Sequence, residues 1–296
     1  MRRWLRLRWA LAQNHRDPYR SVPGGGRGWD CHPTPPCNVS VIAEVLIEEV
    51  SGVETSSLHI AGIPALLAYQ HTYQHPGGEC APHGTILYYH GFGGAKEDAR
   101  EALKVLTDVG FLAVALDSVG HGARRLPDVA QRIAKLPPGP ELEADFLTLV
   151  RATAQEVPAI LDDLIARRLA DPKRIGIAGW SMGGFVTYAA VVADPRVRAA
   201  VAILGSPEWR LPWIESPHRT PERFFPTALL SQTAGHDERV PPQAAGRFHE
   251  ALEPYYMADP EQLRYIEYPG IDHRVPSEIA DTMRQCMAEW FRQHLD

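Results

Sequence analysis

The sequence predicts an α/β protein: a mostly parallel, twisted sheet with helices on both faces. Three observations carry this expectation. From Thr85 onward, short apolar runs alternate with segments of helical spacing. One strand–turn–helix unit, residues 174–192, has a tight turn flanked by Gly179 and Gly183. The 296 residues, 45% hydrophobic and 22% charged, suffice for one large domain with a sizeable core.

The elements follow in chain order. Residues 1–38 are rich in Pro, Gly and Arg, as in Pro23-Gly24-Gly25-Gly26 and Pro33-Thr34-Pro35-Pro36, and are expected to be a flexible N-terminal segment. Residues 39–296 are expected to be the one folded domain. Its first strand is read over 41–50, and 58–60 with 63–69 as a hairpin hinged at Ala61-Gly62. Residues 85–90 form the next strand, followed by the glycine-rich turn His90-Gly91-Phe92-Gly93-Gly94. A helix of about 14 residues from Lys96 is ended by Gly110. Residues 111–117 are a strand closing on Ser118-Val119-Gly120-His121-Gly122. The helical region 141–170 contains Pro158, which kinks it or starts a second helix. Strands are read at 174–178, 197–204, 227–233 and 263–268, with a helix beginning near Pro242. The last helix, 276–294, repeats Ile279, Met283, Cys286, Met287, Trp290 and Phe291 on one face, which predicts a buried thiol at Cys286.

Charge and cysteine content exclude several function classes. The net charge of −6 divides unevenly: seven Arg against Asp17 and Asp30 make residues 1–30 +5, and the rest −11. An acidic body argues against nucleic acid or an anionic membrane as partner. Cys31, Cys37, Cys80 and Cys286 contain no C-x-x-C pair, and Cys31 and Cys37 with His32 do not complete a zinc site. Arg6 and Arg8 interrupt the apolar run at the N-terminus, so no secretory h-region is expected. Reduced thiols and a cytoplasmic location are the corresponding expectations.

The chemistry is read from Gly179-Trp180-Ser181-Met182-Gly183, which fits G-x-S-x-G in its required strand–turn–helix setting. Side chains at 179 and 183 would collide with the neighbouring strand and helix. A capping serine in a glycine-rich turn is the alternative. Serine is a poor nucleophile near neutral pH and requires a histidine base held in its working tautomer by a carboxylate. Two later loops supply these. After 227–233 comes Ala234-Gly235-His236-Asp237-Glu238, and after 263–268 comes Pro269-Gly270-Ile271-Asp272-His273. Both fall at the carboxyl edge of the sheet, beside the serine turn. Asp237 is taken as the acid in preference to Glu238, because it comes first after the strand and glycine turn. His273 is taken as the base among the 13 histidines, and Asp272 as a turn residue. The N–H groups of Met182 and Phe92 are the candidate oxyanion donors.

With these residues in hand, the chain from about 40 to 296 resembles the α/β-hydrolase superfamily. Within it the resemblance is to small bacterial serine esterases of the dienelactone-hydrolase-like and prolyl-oligopeptidase-like group. The resemblance rests on residues 90–94, 117–122 and 179–183 and on the Asp237 and His273 loops. It implies an α/β-hydrolase fold, hydrolysis of a small-molecule ester by a Ser181-Asp237-His273 triad, and no cofactor or metal. Dienelactone hydrolases proper carry Cys where this chain has Ser181, which favours ordinary esters here. Only 22 residues, 205–226, separate two strands where many relatives insert a cap. Trp209, Trp213, Phe224 and Phe225 in this stretch are expected to line an apolar substrate pocket. Peptidase, thioesterase and acyltransferase activities use the same triad, and a non-catalytic binding module on the same fold is a further alternative. The sequence does not specify an oligomeric state.

Overall fold

The computed structural model describes residues 47–50, 53–70, 83–128, 131, 139–209 and 216–295. The N-terminal segment 1–38, with Cys31 and Cys37, lies outside the described residues, as do Cys80 and Trp213. Three strands open the fold: β1 (Ile47–Val50), β2 (Val53–Ile60) and β3 (Ile63–Tyr69), each antiparallel to the next. The β2–β3 hairpin turns at Ala61-Gly62, where both φ values are positive, 49° and 77°. Such a two-residue turn matches the right-handed twist of the flanking strands. Of the strand expected at 41–50, the described part is β1. Strand β2 begins five residues before the expected Leu58, because polar Glu54, Thr55, Ser56 and Ser57 pair with β3 along its full length.

The remaining strands are β4 (Thr85–Tyr89), β5 (Leu112–Leu116), β6 (Ile175–Trp180), β7 (Ala199–Ile203), β8 (Ala228–Ala234) and β9 (Leu263–Tyr268). The nine strands form one sheet in the order β1-β2-β3-β5-β4-β6-β7-β8-β9, parallel from β5 to β9. Strands β4, β5, β7 and β8 are buried along their whole length. This is why they read as unbroken apolar runs rather than alternating ones.

Helices cover both faces. Helix α1 (Arg100–Asp108) follows a 3-10 turn, Lys96–Ala99, so the helix expected from Lys96 starts with a tightened turn. The long helical region divides into α2 (Pro140–Gln155) and α3 (Val157–Ala166). Pro158 sits in the first turn of α3, where its missing N–H costs nothing. Helices α4 (Met182–Ala193), α5 (Gln243–Leu252) and α6 (Ser277–Leu295) complete the described set. One core joins the sheet to α2–α5 through residues such as Val150, Ile160, Val186 and Phe248. The other joins it to α1 and α6 through Leu103, Leu106, Met283 and Phe291. Cys286 is half-buried beside this second core rather than within it, and burial raises its thiol pKa.

A polar chain runs under α5: Tyr188 OH to Ser231 Oγ at 2.5 Å, and Ser231 Oγ to His249 Nε2 at 2.7 Å, with the Tyr265 ring 5.5 Å from the imidazole. Burial lowers the His249 pKa to about 3. The unfolded chain takes up that proton near pH ~6.5, so it binds more protons than the fold does between about 6.5 and 3. Stability attributable to His249 is therefore flat above pH ~6.5 and falls by up to about 1.4 kcal/mol per pH unit below it. Urea unfolding at pH 7 and pH 5 is expected to show this slope in the native chain. His249→Gln, which keeps a hydrogen-bonding group near Ser231, should flatten it.

Candidate active site

Strand β6 ends at Trp180 and α4 begins at Met182, so Ser181 alone makes the turn, at φ 53° and ψ −109°. For a residue with a Cβ this is a sparsely populated conformation, held only where the surroundings over-determine it. They do so here. A Cβ on Gly179 would lie 2.4 Å from the backbone of Gly183, and one on Gly183 would lie 2.0 Å from the Tyr89 carbonyl oxygen. The helix thus passes directly against β6 and β4. Ser181 makes no side-chain capping bond to α4, and its Oγ lies 3.0 Å from His273 Nε2.

His273 and Asp237 arrive on loops that continue the pairing of β8 with β9. Gly235 N donates to Tyr268 O and His236 N to Ile271 O, both at 2.8 Å. His273 Nδ1 then meets Asp237 Oδ2 at 2.6 Å. The other carboxylate oxygen accepts Arg239 N–H and Val240 N–H, each at 2.9 Å, which fixes the orientation of the buried carboxyl group. A carboxylate only accepts, so Nδ1 carries the proton and the Nε2 lone pair faces the Ser181 hydroxyl. Glu238 points into the cavity instead, and Asp272 accepts the Arg274 N–H in a turn.

On the other side of Ser181, a Cβ on Gly91 would sit 3.9 Å from the Ser181 Cβ, so the 91–94 loop passes close to the hydroxyl. His90 fastens this loop: its Nδ1 bonds Gly91 O at 2.8 Å and its Nε2 accepts Ser118 N–H at 3.2 Å. Only the neutral Nδ1–H tautomer satisfies both, and burial lowers the His90 pKa accordingly. Asp117, fully buried, ties the same loop to its neighbour. It accepts Lys96 N–H at 2.8 Å, Ala123 N–H at 2.9 Å and Lys96 Nζ at 3.2 Å. Met182 is the first residue of α4, so its N–H has no partner within the helix. Phe92, 46% exposed, lines the same cavity as Ser181 and His273.

That cavity has a volume of about 820 Å³. Phe92, Phe146 and Phe185 form a chain of rings along it, with centroids 5.8 Å and 5.1 Å apart, and Trp209 lines it as well. Among the described residues, no group of three His, Cys, Asp or Glu is placed to hold a metal ion, and no helix is long and apolar enough to cross a membrane.

The family model described as "Alpha/beta hydrolase family" matches residues 61–293. The chain belongs to that family. It is similar to YitV of Bacillus subtilis (strain 168), 25% identical over 273 residues, which cover 82% of this chain and 100% of that protein. It is also similar to the esterase YjfP of Escherichia coli (strain K12), 24% identical over 271 residues, covering 82% and 100%. Among solved structures, TT1662 from Thermus thermophilus matches with a TM-score of 0.66 and 23% identity, over 82% of this chain and 98% of that one.

Within this alpha/beta hydrolase, the structure brings Ser181, His273 and Asp237 into one hydrogen-bonded line and sets Phe92 and Met182 beside them. Of the expected pocket aromatics, Trp209 lines the cavity and Trp213 lies outside the described residues. Phe224 and Phe225 are not brought there. Phe224 is fully buried, its ring 4.9 Å from that of Phe248, and Phe225 packs on Tyr256 at 5.4 Å. The reason is strand polarity: both residues precede β8 and lie at its amino end, whereas the cavity opens at the carboxyl ends. The apolar wall comes instead from Leu142 and Phe146 of α2 and from Phe185 of α4. A signal existed in the sequence, since Phe185 stands four residues after Ser181, one helical turn along α4.

Proposed function

We propose that the chain hydrolyses carboxylic esters, with short acyl groups preferred, through an acyl-enzyme intermediate on Ser181. The observation that carries this reading is the line Ser181 Oγ, His273 Nε2, His273 Nδ1, Asp237 Oδ2, with spacings of 3.0 and 2.6 Å at its two hydrogen bonds. The similarity to the esterase YjfP supports an ester as substrate.

In acylation, Ser181 Oγ attacks the ester carbonyl carbon while its proton passes to His273 Nε2. The carbonyl oxygen becomes an oxyanion, stabilised by the N–H groups of Phe92 and Met182 and by the amino end of α4. Collapse breaks the bond to the alcohol, which leaves with the proton from Nε2. A water then gives its proton to Nε2 and attacks the acyl carbon. The second collapse returns that proton to Ser181 Oγ and releases the acid. Asp237 stays ionised throughout and stabilises the imidazolium that forms in each half.

The short-chain preference rests on the size of the aromatic wall. Phe92, one ring of that wall, is 46% exposed, which favours cover for the first few acyl carbons over cover for a long chain. Each buried methylene contributes about 0.8 kcal/mol at most. A rate survey over p-nitrophenyl esters is expected to show kcat/KM rising to an optimum between roughly two and six acyl carbons, by this pocket-filling argument. Faster turnover of dodecanoyl or longer esters would contradict the short-pocket reading.

A further inference from the structure

The cavity has two chemically different walls. In the sheet, β4 lies on one side of β6 and β7 and β8 lie on the other. Whatever follows β4 therefore flanks Ser181 on one side, and whatever follows β7 and β8 flanks it on the other. The β4 side is mainly apolar, made by Phe92 with the Phe146 and Phe185 rings packed behind it, Glu143 being the charged residue that α2 adds to the cavity lining. The β8 side carries the polar residues Glu208, Glu238, Arg239, Gln243 and Arg247, set among Trp209, Val240, Pro241 and Ala244.

The charges on the polar wall balance. Arg247 is paired with Glu208 at 2.7 Å, and Glu238 and Arg239 are neighbours of opposite sign. A substrate carboxylate or ammonium on this wall would meet a like charge as readily as an opposite one, so charge gives no gain. The wall is nevertheless dense in donors and acceptors. The exposed Gln243 side chain offers both and bonds no other described residue, and the Arg247 side chain is 61% exposed beside its partner carboxylate. A neutral group carrying several hydroxyls matches this pattern, because each hydroxyl both donates and accepts.

We propose that the substrate is an ester of a short apolar acid with a neutral, hydroxyl-rich alcohol, the polyol being held at Gln243 and the Arg247–Glu208 pair. The assignment rests on Ser181 being the nucleophile. The acyl group remains on Ser181 against the aromatic wall, and the polyol departs across the exposed polar wall.

The test compares three esters by titration of released acid: glycerol monobutyrate, butyl butyrate, and butyl gluconate, in which the polar and apolar ends are exchanged. With two net hydrogen bonds to the polyol, kcat/KM for glycerol monobutyrate should exceed that for butyl butyrate about tenfold. Gln243→Ala should narrow that ratio to about two to three by removing one of them. Phe146→Ala should lower both rates together and leave the ratio near its native value, because both esters carry the same acyl group. A native ratio near one, a ratio untouched by Gln243→Ala, or faster turnover of butyl gluconate would overturn the proposal. If Ser181-dependent hydrolysis persists while the ratio is one, the polyol assignment alone fails. Absence of turnover for all three esters, or turnover that survives Ser181→Ala, overturns the nucleophile reading and the polyol assignment with it.

Discussion

Ser181→Ala is expected to lower ester hydrolysis about 10⁴-fold or more, with the fold retained. The loss follows because no other hydroxyl lies at hydrogen-bond distance from His273 Nε2 among the described residues. The fold survives because the turn is dictated by Gly179 and Gly183, not by the serine hydroxyl, which makes no capping bond. Alanine has the same Cβ at φ 53°, so the backbone strain is unchanged. Steady-state rates together with a thermal melt check both halves. Turnover within tenfold of the native rate would place the nucleophile elsewhere.

Asp237→Asn carries the second largest effect. The asparagine oxygen can still accept the Arg239 and Val240 N–H groups, which turns its NH₂ toward His273. Nδ1 must then be the unprotonated nitrogen, so Nε2 bears the proton and can no longer receive one from Ser181. A loss in kcat of about 10⁴ is expected. Glu238→Gln should cost far less, because Glu238 faces the cavity and has no bond to the imidazole. Measuring kcat for the pair of variants tests the assignment, and the reverse order of effects would transfer the acid role to Glu238.

Much of this arrangement is legible in the sequence for steric and topological reasons. A serine between glycines at 179 and 183 admits few explanations once a strand precedes it and a helix follows. The parallel order of strands then obliges the loops holding Asp237 and His273 to open at the same edge of the sheet. What escaped the sequence depends on contacts between distant segments. The polar residues 54–57 belong to β2 because β3 supplies their hydrogen-bonding partners, and no local pattern reveals that. Phe224 and Phe225 have the composition of a pocket wall but stand at the amino end of β8. Phe146 lines the cavity because α2 crosses over α4, a packing fact invisible in the spacing of α2 alone. Asp117 reads as the last residue of the strand 111–117, and only the fold shows its carboxylate fastening Lys96 and Ala123.

The central claim is that Ser181 is a nucleophile activated by His273, and covalent labelling with a fluorophosphonate tests it most directly. The account predicts one probe per chain, located on the peptide containing Ser181, with hydrolysis lost in step with labelling. It also predicts no labelling of Ser181→Ala and much slower labelling of Asp237→Asn. A probe found on another residue, or an unlabelled native chain that still hydrolyses esters, would contradict it.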